Sequence, residues 1–318
     1  MAAAGTADAR WGMLAGSSRR GASSDVHALD IRPLTPTIGA VVHDLDLGRL
    51  DEATFEALHE AWMRHLVLFF RDQHLTPEQH LAFGRRLGPL HIHPAAPFAH
   101  GNPALMVIHT DAGSHRNNGD NWHTDVSADE EPPLGTILHL HTLPSGGGDT
   151  LFANMYAAFE TLSPRMQDFL CTLTARHESN YDGHYGDHPA QREYPSAVHP
   201  VVRTHPVTGR NALFVNPAFT TRIVELSQGE SDALLRHLYA HASHPRFQCR
   251  FSWTANAVAL WDDRCTWHLA IWDYWPQTRS GLRVTVQGDR PYFDAASRRE
   301  HEAGCEDRVA PTSTARPG

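Results

Sequence analysis

The sequence predicts a mainly β fold, a sandwich or jelly roll with flanking helices. Short apolar runs rich in β-branched and aromatic residues recur at 66–70, 105–109, 136–140, 198–203, 212–215, 257–261 and 282–286. Turn residues separate these runs, as in PSGGG at 144–148 and HPVTG at 205–209. Helical patterns are fewer. Many short strands with such punctuation favour an antiparallel sandwich or barrel over an alternating α/β fold.

Four segments carry helix signals, either an apolar face at helical spacing or a residue type that starts helices. They are a face at Phe55, Leu58 and Trp62; a capping box at Thr76–Gln79 with Pro77 in the first turn, running to about Arg86; a start at Ser163-Pro164; and an N-cap at Ser231 with a face at Leu234, Leu235 and Leu238. The capping box is the most specific of these signals, because two side chains then satisfy two backbone donors reciprocally.

Composition and charge narrow the function classes. The 318 residues fit one large domain at 28–294, with extensions at 1–27 and 295–318 that are rich in small and polar residues. No apolar run is long enough to span a membrane, and four scattered cysteines indicate a reduced, cytoplasmic protein. The net charge of −9 argues against nucleic-acid binding. All 27 basic residues are arginine, so any fixed cation in a site is a guanidinium or a protonated histidine.

The segment NWHTD at 121–125 contains the first candidate metal ligands. In an extended strand, His123 and Asp125 point to the same face because side chains alternate with a period of two. A single His-x-Asp pair is weak evidence, since it often occurs by chance on a surface. A second histidine from elsewhere would complete the two-histidine, one-carboxylate set of iron(II) oxygenases.

The C-terminal third supplies that histidine. His268 follows a strand-like run, and Arg279 lies eleven residues later. A guanidinium there can bind the far carboxylate of a dicarboxylic cosubstrate whose other end chelates iron, because guanidinium and carboxylate match in a two-pronged geometry. Thr150, after the turn GGGD at 146–149, is a candidate hydroxyl donor to the same carboxylate.

With these residues in view, the chain resembles the taurine dioxygenase (TauD/TfdA) family. The matching segments span roughly residues 30–293: LHIHP at 90–94, DNWHTDV at 120–126, LPSGGGDTLF at 143–152, HPVVRTHPVTGRNALFVN at 199–216, FTTRIVELS at 219–227 and WDDRCTWH at 261–268. The resemblance implies a double-stranded β-helix (jelly-roll) core. It also implies an enzyme that uses Fe(II), 2-oxoglutarate and O₂.

The resemblance further assigns roles to single residues. It implies that the iron ligands are His123, Asp125 and His268, that Thr150 and Arg279 bind 2-oxoglutarate, that Arg283 binds the anionic group of the substrate near the cosubstrate, and that His93 and Val126 line the substrate pocket. His93, rather than His91, is expected in the site, with His91 at the surface. The retained carboxylate of Asp125 argues against halogenation as the reaction, because halogenases of the wider superfamily have a small residue there.

Departures from the family pattern concern the substrate. Taurine dioxygenase has tyrosine, asparagine and phenylalanine where this chain has Ala96, Gly119 and Ala128, and segment 178–194 does not match. The resemblance and these departures together predict hydroxylation of an aliphatic carbon in a small anionic substrate, a sulfonate or taurine-like molecule bulkier than taurine, with release of succinate and CO₂. Two alternatives stay open: a natural-product tailoring oxygenase acting on an amino acid or carboxylate, and a non-redox metal-binding jelly roll. A homo-oligomer, dimer or larger, is also expected from the family.

Overall fold

The computed structural model describes residues 29–93, 97–117, 119–179 and 194–297. The strands are β1 (Asp30–Pro33), β2 (Ala40–His43), β3 (Val67–Phe70), β4 (Leu90–His91), β5 (Phe98–Ala99), β6 (Asn102–Thr110), β7 (Gly135–Thr142), β8 (Thr150–Asn154), β9 (Thr174–Glu178), β10 (Ser196–Pro200), β11 (Val202–Thr204), β12 (Asn211–Leu213), β13 (Thr220–Ile223), β14 (Gln248–Phe251), β15 (Ala257–Asp262), β16 (Thr266–Ala270) and β17 (Arg279–Val286). The helices are α1 (Glu52–His65), α2 (Pro77–Leu87), α3 (Met155–Glu160), α4 (Pro164–Leu170) and α5 (Gln228–Ala242).

Two sheets packed face to face form the jelly-roll core. The larger sheet has the order β1-β2-β3-β15-β7-β17-β6-β5, with β4 paired to the end of β17, and only β2 and β3 run parallel in it. The sheet opposite is β14-β8-β16. Phe69 of the larger sheet contacts Phe152 and Phe251 of the smaller one, with ring centroids 5.5 and 3.9 Å apart. The predicted mainly β jelly roll is confirmed.

The central strands of the larger sheet are buried on both faces, which explains their nearly continuous apolar sequence. In β7, Leu138 and Leu140 pack into the core between the sheets, whereas Ile137 packs with residues of α1 and α2 on the other face. This alternation follows from the period of two along a strand. Thr136 lies on the inner face as well, because it is two residues from Leu138, and it is fully buried.

Helix prediction succeeds where the signal is local. α2 begins at Pro77 behind a Thr76 N-cap, and both hydrogen bonds of the capping box are present. α1 buries Phe55, Leu58 and Trp62 as expected.

The predicted N-cap of the fourth helix is wrong. α5 begins one turn earlier, behind Ser227, and its capping box is formed with Glu230. Ser231 lies inside the helix, where its buried hydroxyl accepts a hydrogen bond from the backbone N–H of Ile223 at 2.9 Å.

The predicted extensions, 1–27 and 295–318, lie outside the described residues except for 295–297, and so does nearly all of the unmatched segment 178–194. The domain limits 28–294 stay a prediction. Among the described residues, no helix is both long enough and apolar enough to cross a bilayer.

Candidate metal centre

His123 and His268 face each other across a short antiparallel bridge. The N–H of His123 donates to the carbonyl of His268 at 3.1 Å, and the N–H of His268 donates to the carbonyl of His123 at 2.8 Å. Residues opposite each other in an antiparallel pair project to the same side. The imidazole rings accordingly lie with their centroids 4.0 Å apart.

Asp125 completes a cluster of three donor atoms. Its Oδ1 lies 3.8 Å from Nε2 of His123 and 3.8 Å from Nε2 of His268. The three side chains are buried, and their ligand atoms all fall within 4.8 Å of one another. Two imidazole nitrogens and one carboxylate oxygen at this spacing fit one six-coordinate metal ion and leave three positions for other ligands.

The surroundings favour the protonation states that bind a metal. Burial lowers the pKa of both His123 and His268, so each imidazole is neutral at neutral pH. Nδ1 of His123 donates to the carbonyl of Asn121 at 2.8 Å, which leaves the lone pair on Nε2. Burial raises the pKa of Asp125, but electrostatic attraction, led by the charge of Arg283, outweighs this effect and holds the pKa well below the usual range.

Arg283 lies directly on this cluster. Its Nη1 is 3.0 Å from Oδ1 of Asp125, and its Nε donates to the hydroxyl of Thr285 at 3.1 Å. His93 is close enough for the charges of Arg283 and Asp125 to act on it. Burial, followed by Arg283, lowers the pKa of His93 to about 4, so this imidazole is also neutral.

Arg279 and Thr150 lie together. Arg279 is 3% exposed; its Nε donates to the carbonyl of Gly148 at 3.1 Å, and its Nη2 lies 3.4 Å from the hydroxyl of Thr150. Gly148 lies in the turn before β8 and has a φ of +74°, a left-handed backbone conformation that favours glycine. Asp149, the acidic group whose charge acts on Arg279, is bonded instead to Arg250 at 2.6 Å. The described residues therefore give this buried cation no ion-paired carboxylate.

The residues that were predicted to line the substrate pocket differ in how deeply they are buried. Gly119 is half-buried, and a Cβ on it would lie 3.2 Å from Cβ of Ala270 and 3.7 Å from Cε1 of His123. Val126 and Ala128 are buried at 3% and 1% exposure. Ala96 lies outside the described residues. His91 is not a surface residue as expected: its side chain is largely buried, and Nε2 lies 3.1 Å from a carboxylate oxygen of Asp129.

Sequence reasoning missed the groups that support Asp125. Thr136 bonds its second oxygen and also contacts Asp263. Burial, followed by the charge of Asp125, raises the pKa of Asp263 well above its usual value. Val126, the residue after Asp125 in the chain, has a φ of +47°, an unusual backbone conformation for a β-branched residue. Nothing in the local sequence marks Thr136, because it reads as one more residue of an apolar strand.

A second network holds the turn after Asp125. The hydroxyl of Ser127 accepts from the amide of Asn216 at 2.9 Å and lies 3.0 Å from Nδ1 of His177. His199 donates from Nε2 to the carbonyls of Ser127 and Asp129, at 3.1 and 3.0 Å. Strained backbone persists only where its surroundings over-determine it, and these contacts do so here.

Another cluster, His205, Asp262 and Cys265, also brings potential ligand atoms within 4.8 Å. Nδ1 of His205 accepts from the backbone N–H groups of Val207 and Thr208, at 3.2 and 3.1 Å, so Nε2 carries the proton and donates to Asp262 at 3.0 Å. With the imidazole lone pair already used, this cluster serves as a hydrogen-bonded support for the segment before β16.

Comparison with known proteins agrees with this geometry. The family model for "Taurine catabolism dioxygenase TauD, TfdA family" matches residues 30–285. The chain belongs to this family. It is thus an enzyme, an Fe(II)- and 2-oxoglutarate-dependent dioxygenase that uses O₂, and the non-redox alternative is excluded.

Individual TauD/TfdA relatives are similar over most of their length. The chain is 35% identical to an alpha-ketoglutarate-dependent sulfonate dioxygenase of Saccharomyces cerevisiae, over 86% of this chain and 70% of the relative. It is 36% identical to an alpha-ketoglutarate-dependent sulfate ester dioxygenase of Pseudomonas putida, over 83% and 91%. A crystal structure of a taurine dioxygenase from Burkholderia xenovorans superposes with a TM-score of 0.72 at 36% identity, covering 83% of this chain and 91% of that one.

Proposed function

We propose that this dioxygenase hydroxylates the carbon next to the anionic group of a small sulfonate or sulfate ester that is bulkier than taurine. One oxygen atom of O₂ enters the substrate C–H bond, the other enters succinate, and CO₂ is lost from 2-oxoglutarate. The hydroxylated carbon, still bearing sulfonate or sulfate, then collapses to an aldehyde with release of sulfite or sulfate.

The observation that carries the proposal is the position of Arg283. This buried guanidinium lies 3.0 Å from Oδ1 of Asp125, so an anionic head group bound by it sits beside the metal ligands. Neutral His93 is near the same guanidinium and can donate a hydrogen bond to that head group. The sulfonate and sulfate ester relatives support a tetrahedral sulfur oxyanion as that group.

The body of the substrate faces small, apolar groups. A Cβ built on Gly119 would lie nearest to the methyl of Ala270, at 3.2 Å, and to Cε1 of His123, at 3.7 Å. Neither Gly119 nor Ala270 can bind an ammonium group through a side chain. A missing hydrogen bond to a charged amine costs about 1–3 kcal/mol, so taurine is expected to bind poorly and an alkyl chain well.

The remaining residues have positioning roles in this proposal. His123, Asp125 and His268 would hold iron, and Arg279 with Thr150 would bind the far carboxylate of 2-oxoglutarate. Bound iron(II) supplies the activation of O₂. The protein holds the substrate carbon close to the metal through Arg283 and excludes water from a site whose ligands are all buried.

Succinate release tests the proposal. The purified enzyme, with Fe(II) and 2-oxoglutarate, is given hexyl sulfate, hexanesulfonate, hexanoate, taurine and free amino acids, and succinate, sulfate and sulfite are measured. We expect hexyl sulfate or hexanesulfonate to stimulate turnover most, with stoichiometric sulfate or sulfite. Preference for hexanoate or an amino acid would refute the substrate class, and saturable turnover of taurine would refute the enlarged pocket.

The ligand assignment has its own test. Asp125→Ala is expected to lose metal binding and turnover while remaining folded. Metal binding by this variant at the wild-type affinity would contradict the assignment.

A further inference from the structure

Only one oxygen of Asp125 faces the two imidazoles. The other, Oδ2, accepts a hydrogen bond from the hydroxyl of Thr136 at 2.9 Å. The same hydroxyl lies 2.8 Å from Oδ2 of Asp263. Thr136 is fully buried and Asp263 is 2% exposed, so water does not compete for these contacts. The three side chains form a chain of polar contacts that begins in the core and ends at the candidate ligand.

Asp263 is itself held from several directions. Its Oδ1 accepts from Nε1 of Trp261 at 2.9 Å and lies 3.4 Å from the backbone N–H of Asp125. Its backbone N–H donates to the carbonyl of Leu134 at 3.1 Å, and its carbonyl accepts from the hydroxyl of Thr124 at 2.6 Å. This carboxyl group therefore has a fixed orientation, with Oδ1 toward the N–H donors and Oδ2 toward Thr136.

The position of Thr136 is also fixed, in this case by the strands on either side of it. It lies in β7, between Thr285 of β17 and Trp261 of β15 in the middle of the larger sheet. A β-branched side chain in a strand has few rotamers, and the one that Thr136 adopts brings its hydroxyl into contact with both carboxyl groups.

We propose that Thr136 and Asp263 are positioning residues that hold Oδ2 of Asp125 away from the metal, so that Asp125 binds through Oδ1 alone. The inference rests on the ligand set of the proposed function. Two imidazoles and one carboxylate oxygen leave three positions on a six-coordinate ion, whereas a carboxylate that bound through both oxygens would leave two. The chelating end of 2-oxoglutarate would occupy two of these positions, and the third would be left for O₂.

Because the orientation of the Asp263 side chain is fixed, the effect of replacing its carboxyl group by an amide can be predicted. In Asp263→Asn, the N–H donors of Trp261 and Asp125 require the amide oxygen at the Oδ1 position. The amide nitrogen then faces Thr136 and donates to its hydroxyl, which in turn donates to Asp125. The amide is thus expected to replace the carboxyl group, whereas an apolar side chain of similar size, as in Asp263→Leu, is not.

Metal binding by the full-length protein tests the proposal. Co(II) is titrated under nitrogen by its visible absorption into the wild type, Thr136→Val, Thr136→Ser, Asp263→Leu and Asp263→Asn, and the melting temperature of each metal-free protein is recorded. Loss of a group that orients a ligand weakens metal binding by about 10–100-fold. We expect this weakening in Thr136→Val and Asp263→Leu, with Thr136→Ser and Asp263→Asn close to the wild type. Thr136→Ala serves if the valine variant does not fold.

A purely structural role would lower the melting temperature of the metal-free proteins without changing the Co(II) affinity of those that remain folded, and would overturn the proposal. Equal weakening in Asp263→Asn and Asp263→Leu would also overturn it. Asp125→Ala separates this inference from the ligand assignment. If that variant keeps its Co(II) affinity, the ligand set fails; if it loses affinity while Thr136→Val does not, the positioning role alone fails.

Discussion

Replacing Arg279 by glutamine tests how the cosubstrate binds. The guanidinium is 3% exposed, and its Nε and Nη2 contact the carbonyl of Gly148 and the hydroxyl of Thr150. Burial lowers the pKa of this arginine, and Asp149 is already bonded to Arg250. A buried cation without an ion-paired carboxylate is costly, and a bound carboxylate removes much of that cost.

The magnitude follows from the contacts that the carboxylate of 2-oxoglutarate would lose. A hydrogen bond to a charged group contributes about 1.5–3 kcal/mol, so losing two from one guanidinium costs about 3–6 kcal/mol. At about 1.4 kcal/mol per tenfold change, the dissociation constant for 2-oxoglutarate is expected to rise by roughly 10²–10⁴-fold. The metal-free protein should melt at the same or a higher temperature, because the variant removes a buried charge.

The assay is an anaerobic titration of the Fe(II) protein with 2-oxoglutarate, followed by the visible charge-transfer band of the complex. Arg222→Gln is the matched control, because Arg222 is exposed on β13 and its guanidinium donates to the carbonyl of Val224 at 3.2 Å. Unchanged 2-oxoglutarate affinity in Arg279→Gln would refute the assignment of Arg279 to the far carboxylate of 2-oxoglutarate. Loss of iron binding in that variant would show that the arginine supports the metal instead.

Two further predictions concern stability. His80 is buried, and burial lowers its pKa from 6.5 to about 3, so only the unfolded chain takes up its proton as the pH falls below about 6.5; its contribution is complete above that pH and declines below it by about 1.4 kcal/mol per pH unit. His80→Gln should reduce the pH dependence of the free energy of unfolding, measured with urea, by a fraction of a proton near neutrality and by close to one proton at about pH 5. An unchanged slope would contradict this. Thr76→Ala removes one half of the α2 capping box and should lower the free energy of unfolding by about 1 kcal/mol, measured by urea at neutral pH, whereas Thr76→Ser should not.

Local features were predictable because their causes lie within a few residues. Thr76 and Gln79 are one helical turn apart, so the capping box and the start of α2 follow from the sequence. The two-residue spacing of His123 and Asp125 predicted that their side chains meet, and they do, although the structure places them in an isolated bridge and the turn that follows it rather than in a strand. The N-cap of α5 could not be predicted in this way. Ser227 and Ser231 are both residue types that favour an N-cap, but the hydroxyl of Ser231 accepts a hydrogen bond from the backbone N–H of Ile223, which is outside the helix.

The sequence by itself determined the apolar strand runs, the His-x-Asp pair and the family resemblance that named His268 and Arg279. Only the tertiary structure decided that His268 lies opposite His123, that Arg279 is buried with no ion-paired carboxylate among the described residues, and that the hydroxyl of Thr136 contacts both Asp125 and Asp263. These contacts join residues far apart in the chain. They form because β7, β15 and β17 become neighbours in one sheet, and residue type and local spacing carry no record of that pairing.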